Sequence, residues 1–90
     1  MRNYYTMNKI FQGDALTVLK TLQDESVDCV ITSPPYYGLR NYGIEGQIGL
    51  EDTFEEYLEK ILKIVAEIKR ILKKTGTFWL NMGDCYDEKI

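Results

Sequence analysis

Four consecutive residues, Ser33-Pro34-Pro35-Tyr36, carry the side chains best placed to do chemistry in this chain. They follow an apolar run, Val27-Asp28-Cys29-Val30-Ile31-Thr32, that reads as a short buried strand. Neither proline can donate to a ladder and each fixes its own φ, so the pair stops the strand abruptly. The residue before each proline is also held out of the helical region. The product is a rigid, extended corner at the carboxyl end of a strand, where open α/β sheets place their ligand sites. A hydroxyl, prolyl carbonyls and an aromatic ring at such a corner form a small flat pocket with an acceptor edge. That pocket suits an amino-substituted heterocycle. A plain Pro-Pro turn followed by surface tyrosines is the other reading of the same four residues.

Strands and helices alternate around this corner. Lys9-Ile10-Phe11-Gln12 reads as a short strand ending at Gly13-Asp14. Ala15, Leu16, Val18, Leu19 and Leu22 then fall at helical spacing, with Asp14 placed to cap that helix. Gln23 to Ser26 ends it and leads into the strand Val27 to Thr32. Residues 33–52 form a long loop with Gly38, Gly43, Gly46 and Gly49 but no phosphate-loop pattern. A loop of this length in a small domain is functional or disordered, and its tyrosines and Arg40 favour function.

The next stretch repeats Phe54, Tyr57, Leu58, Ile61, Leu62, Val65, Ile68 and Leu72 at steps of an amphipathic helix. Thr53 with Glu56 makes a capping-box pattern at its start. Lys73 and Lys74 fall in its expected last turn, and Gly76 is the expected stop. Ile64 and Ile71 widen the apolar stripe beyond a coiled-coil seam, so the helix is expected to pack on a sheet. Thr77-Phe78-Trp79-Leu80-Asn81-Met82 reads as a third strand. The order is βαβαβ, an α/β fold with a three-stranded parallel sheet and right-handed crossovers.

Composition narrows the function classes. Ninety residues, 44% hydrophobic and 28% charged, make one small soluble domain with a marginal core. No apolar run approaches membrane-spanning length. The charged start, Met1-Arg2-Asn3-Tyr4-Tyr5-Thr6, has no apolar segment behind it and is not a secretory signal. Met7 offers an alternative start, with residues 1–7 as a loose extension, and the expected location is cytoplasmic. The absence of histidine excludes a Ser/His/Asp or Cys/His triad, and argues against a zinc site. Cys29 and Cys85 do not suggest a disulfide framework. A net charge of −3 counts against an autonomous DNA-binding module, which usually shows a basic face.

The longer string Thr32 to Tyr36, continued as Tyr37-Gly38-Leu39-Arg40-Asn41-Tyr42-Gly43, resembles the catalytic motif of the amino-methylating DNA methyltransferases. Their motif is (Asp/Asn/Ser)-Pro-Pro-(Tyr/Phe), and the serine form is more similar to the cytosine-N4 branch than to the adenine-N6 branch. The resemblance implies a partial Rossmann-like methyltransferase fold, S-adenosylmethionine as cofactor and DNA as partner. An exocyclic amine is a poor nucleophile because its lone pair is delocalised into the ring. A site accepting hydrogen bonds from the amine localises that pair for in-line attack on a sulfonium methyl group, a task of positioning and electrostatics. The base must leave the duplex to reach the pocket, where an aromatic ring stacks on it. By this resemblance Ser33, Pro34 and Tyr36 take these roles and Pro35 enforces the corner.

Two further positions follow the family's order. A Gly-Asp pair before the Pro-Pro strand lies near the adenine of S-adenosylmethionine, which makes Asp14 a candidate cofactor contact as well as a plain helix cap. A polar residue ending the next strand faces the flipped base, and Asn81 holds that position; Asp84 just beyond it is either a similar group or a solvated turn residue. The resemblance covers residues 8–86, the first part of such an enzyme with the catalytic loop at 33–52. The family's glycine-rich cofactor loop, which typically follows Asp-Pro-Phe, is missing from these 90 residues. The isolated chain is therefore expected to be inactive: a fragment, a subunit of a split enzyme, or a non-catalytic remnant. A three-stranded piece also leaves sheet edges open, which invites a homo-oligomer or a complementing chain.

Overall fold

The computed structural model describes residues 8–38 and 43–82. Helix α1 (Ala15–Leu19) precedes strand β1 (Val27–Thr32), and a long loop leads to helix α2 (Phe54–Ile71) and strand β2 (Leu72–Leu80). β1 and β2 pair in parallel, with Val30 opposite Phe78, Ile31 opposite Trp79 and Thr32 opposite Leu80. α2 is the crossover between them. It buries Tyr57, Ile61, Ile68 and Ile71, the inward stripe of its amphipathic pattern. Val30 and Phe78 are half-buried on one face of the sheet, while Ile31 and Trp79 are exposed on the other. No described helix is long and apolar enough to cross a membrane.

Local signals set both helix starts. Asp14 Oδ2 accepts from the backbone N–H of Thr17 at 3.1 Å and from its hydroxyl at 3.0 Å. Thr53 Oγ1 accepts from the Glu56 N–H at 3.2 Å. Each satisfies an otherwise orphaned first-turn donor.

The strand expected at residues 9–12 is absent, and the described sheet has two strands rather than three. A strand exists only through its ladder, and among the described residues nothing pairs with this segment, leaving Ile10 and Phe11 in solvent. The parallel sheet and α/β content stand as expected. The helix predicted to reach Leu22 stops at Leu19, and that predicted to run through Lys73 and Lys74 to a stop at Gly76 ends at Ile71.

Both stops are made by tertiary contacts. Arg70 donates from Nη2 to the Leu19 carbonyl and from Nη1 to the Leu22 carbonyl, each at 2.9 Å, and pairs with Asp24 and Glu67. In return the N–H groups of Glu25 and Ser26 take the carbonyls of Arg70 and Ile71 at 3.0 and 2.7 Å. With its last carbonyls taken by the turn before β1, α2 passes straight into β2. Lys73 and Lys74 therefore lie in a strand, and Lys69 and Arg70 occupy the helix's last turn. Gly76 is no helix stop either. β2 advances from Leu72 to Thr77 while β1 advances only from Val27 to Cys29, and Gly76 sits in that bulge. A Cβ there would lie 3.0 Å from the Lys73 carbonyl and 3.1 Å from that of Asp28. Glycine is needed for room.

Candidate functional site

β1 ends at Thr32, and the two prolines turn the chain off the sheet. Ser33 is exposed there, and Pro34, Pro35 and Tyr36 are half-buried. The neighbouring strand ends one residue before Asn81, whose backbone N–H continues the ladder to the Thr32 carbonyl at 3.0 Å. This register brings the Asn81 side chain to Ser33, Nδ2 donating to Oγ at 3.3 Å. A hydroxyl has two acceptor lone pairs, so Ser33 Oγ retains acceptor capacity after taking the amide. Two residues 48 apart in sequence thus meet at the carboxyl ends of adjacent parallel strands.

The prolyl carbonyls are not equivalent. Pro35 accepts a 2.7 Å hydrogen bond from the hydroxyl of Tyr57, a residue 2% exposed in the first turns of α2. No described donor reaches the Pro34 carbonyl. The prolyl part of the acceptor edge inferred from sequence is therefore unequal, with one lone pair of the Pro35 carbonyl engaged and the Pro34 carbonyl without a described partner.

The two tyrosines after the prolines part company. The Tyr37 ring packs against Phe54 and Tyr57, with centroids 5.6 and 5.4 Å away, and its hydroxyl donates to the Glu51 carbonyl at 3.0 Å. Tyr37 belongs to the anchoring of the loop, which leaves Tyr36 at the corner itself. Gly38 and Gly49 close the loop by a 2.7 Å backbone hydrogen bond. Gly49 is buried with φ +111°, and a Cβ on it would meet the Tyr36 carbonyl at 3.1 Å. Leu39 to Tyr42, including Arg40, lie outside the described residues, as do Asp84 and Cys85. Cys29 is an exposed free thiol.

Glu51 pins the far end of the loop. Its side chain, 1% exposed, accepts from the Gly49 N–H at 2.8 Å, and Lys60 Nζ stands 3.1 Å from its other oxygen. Burial pushes the carboxyl up, but its own and the Gly49 backbone N–H groups together with Lys60 outweigh this and hold it below the ordinary 4.5. A depressed folded-state pKa gives stability that is complete above the unfolded value and is lost as pH falls through the folded one. The thermal midpoint should therefore be higher for the native chain than for Glu51→Gln above pH 4.5, with the gap closing under acid. A gap that widened on acidification would contradict this pairing.

Of two cavities, only the first is walled by residues of the corner. This one, of about 160 Å³, lies beneath it, walled by Ser33, Pro34, Pro35, Ile61, Val65 and Phe78 among others. The second, about 250 Å³, is lined by Asp14, Leu16, Gly46, Lys60 and Lys63. Ile48 and Ile64 wall both. Both hydrogen bonds to the Asp14 carboxylate go to Oδ2, and Asp14 lines the second cavity. Its lining joins a carboxylate, two lysines and apolar side chains. Sequence reasoning missed Tyr57, Gly49 and Glu51. The only signals they gave were a tyrosine on a helix stripe, one glycine of four and one acid before a helix cap.

Residues 27–90 match the DNA methylase family. The chain is 60% identical over 77 residues to the Type II methyltransferase M.XycI of Xanthomonas campestris pv. cyanopsidis, a match covering 86% of this chain and 26% of that protein. It is 52% identical over 77 residues to M.Cfr9I of Citrobacter freundii, covering 86% and 26%. With M.SmaI of Serratia marcescens it shares 49% over 78 residues, covering 87% and 27%. The chain spans about a quarter of the length of these relatives. No solved structure matches it.

Proposed function

This chain belongs to the DNA methylase family, and on that premise we propose that it carries the catalytic corner of an S-adenosylmethionine-dependent DNA amino-methyltransferase. The observation carrying this reading is the meeting of Ser33 and Asn81 beside the unengaged Pro34 carbonyl. Ser33 Oγ and the Pro34 carbonyl accept the two N–H groups of an exocyclic amine and localise its lone pair. Asn81 orients the Ser33 hydroxyl and keeps its own Oδ1 for the base. Tyr36 stacks on the flipped base, and Pro35 keeps the corner extended. S-adenosylmethionine, when bound, supplies an activated methyl group, and Asp14 with its cavity holds the adenine end. Charge placement and fixed geometry are the protein's share of the catalysis.

The amine is that of cytosine N4 rather than adenine N6, following the serine that opens the corner. In the whole enzyme β1 and β2 belong to a Rossmann-like sheet, the DNA grip comes from other segments, and the location is cytoplasmic. The test joins this segment to the remaining three-quarters of M.XycI and incubates the hybrid with DNA and S-adenosylmethionine. Nucleoside mass spectrometry should find N4-methylcytosine. N6-methyladenine would correct the base, and no methylation by a folded hybrid would overturn the function.

The 90 residues alone should bind S-adenosylmethionine no tighter than roughly millimolar, because association costs several kcal/mol before contacts repay it. Asp14 and its cavity offer one end of the ligand a contact and no more. A micromolar constant by isothermal titration would show a complete cofactor site here, in one chain or across a homodimer.

One observation favours a second reading, a self-associating protein without catalysis. The sheet face with Ile31 and Trp79 is 77% and 64% exposed at those residues, and among the described residues both sheet edges are unpaired. Sedimentation velocity on the purified chain decides it. A monomer at high concentration argues against obligatory pairing.

A further inference from the structure

We propose that Tyr57 is a positioning residue for methyl transfer, acting through the Pro35 carbonyl; this rests on the catalytic reading of the corner. Both prolines have φ locked by their rings, so ψ of Pro35 is the soft torsion that aims Tyr36 away from the sheet. The Tyr57 hydroxyl fixes it, donating to the Pro35 carbonyl at 2.7 Å and so setting the plane of the Pro35–Tyr36 peptide. The following peptide lies close to the buried Gly49, where a Cβ would stand 3.1 Å from the Tyr36 carbonyl. Tyr57 is itself packed in: 2% exposed, its ring 5.4 Å from Tyr37 and 5.9 Å from Phe54.

The bond has a second consequence. With one lone pair of the Pro35 carbonyl engaged, the Pro34 carbonyl is the prolyl oxygen with both lone pairs open to an incoming amine, beside Ser33 Oγ and Asn81 Oδ1. Without the hydroxyl, both lone pairs of the Pro35 carbonyl are open to compete for the amine and the following ring loses its fixed direction. The fault would fall on geometry in the bound complex rather than on affinity for DNA.

Tyr57→Phe removes the hydroxyl and keeps the ring. In the hybrid with M.XycI, Tyr57→Phe is expected to lower kcat about tenfold or more while KM for DNA stays within about twofold. Phe54→Leu disturbs the same ring cluster without touching the corner, and should lower the thermal midpoint while leaving kcat near the parent value. In the 90-residue chain, the Pro35 carbonyl carbon resonance should move in Tyr57→Phe and stay in place in Phe54→Leu. An active parent whose Tyr57→Phe form keeps kcat within twofold overturns the positioning role alone. Equal loss of kcat in Phe54→Leu also overturns it, since packing would then explain both. A folded but inactive parent overturns the function and this role with it.

Discussion

Ser33→Ala in the hybrid enzyme is expected to lower kcat by roughly 100- to 1,000-fold, the usual loss when one preorganised electrostatic contact to a reacting group is removed. Ser33 Oγ, with the Pro34 carbonyl, is one of the two acceptors assigned to the amine, and it meets Asn81 at the strand ends. Alanine deletes that acceptor and also leaves the Asn81 amide without the partner it meets at 3.3 Å. The Pro34 carbonyl survives, so residual activity should remain. KM for DNA should change little, because the loss falls on the reacting nitrogen rather than on the duplex. Tritium transfer from labelled S-adenosylmethionine under saturating DNA measures it. Activity within threefold of the parent would remove Ser33 from the reaction and with it the reading of this corner.

Gly49→Ala should have the largest effect on stability among the loop glycines. Its φ of +111° is one that L-residues rarely adopt, and the new Cβ would sit 3.1 Å from the Tyr36 carbonyl and 3.4 Å from Pro35 Cβ. Strain of this kind costs roughly 1–3 kcal/mol. In a domain of this size each kcal/mol lowers the thermal midpoint by roughly 4–8 °C. The loop can escape only by breaking the Gly38–Gly49 bond or pushing Tyr36 off its course. Gly46→Ala is the control: its φ is +78° but nothing lies within 4 Å of the built Cβ. Calorimetry with amide exchange at Gly38 should show Gly49→Ala lower in midpoint and faster in exchange than Gly46→Ala. Equal values would mean that backbone strain alone matters and that contact with the corner does not.

Features made within a turn or two of chain were legible from the sequence. The proline rings dictate the corner, Asp14 and Thr53 cap helices through partners three residues away, and the apolar spacing of 54–71 selects a buried stripe. The strand at 27–32 and the family resemblance rest on the same contiguous residues. Long-range pairing decided the rest. Residues 8–12 have strand composition but no ladder among the described residues, and a strand has no existence without one. α2 ends at Ile71 because Glu25 and Ser26 take its last carbonyls, which no count of lysines and glycines could foretell. Tyr57 finds Pro35 across 22 residues, and Asn81 finds Ser33 across 48. Both meetings depend on the register of β1 against β2 and on the seat of α2, so only the tertiary structure could decide which oxygens at the corner remain for a substrate.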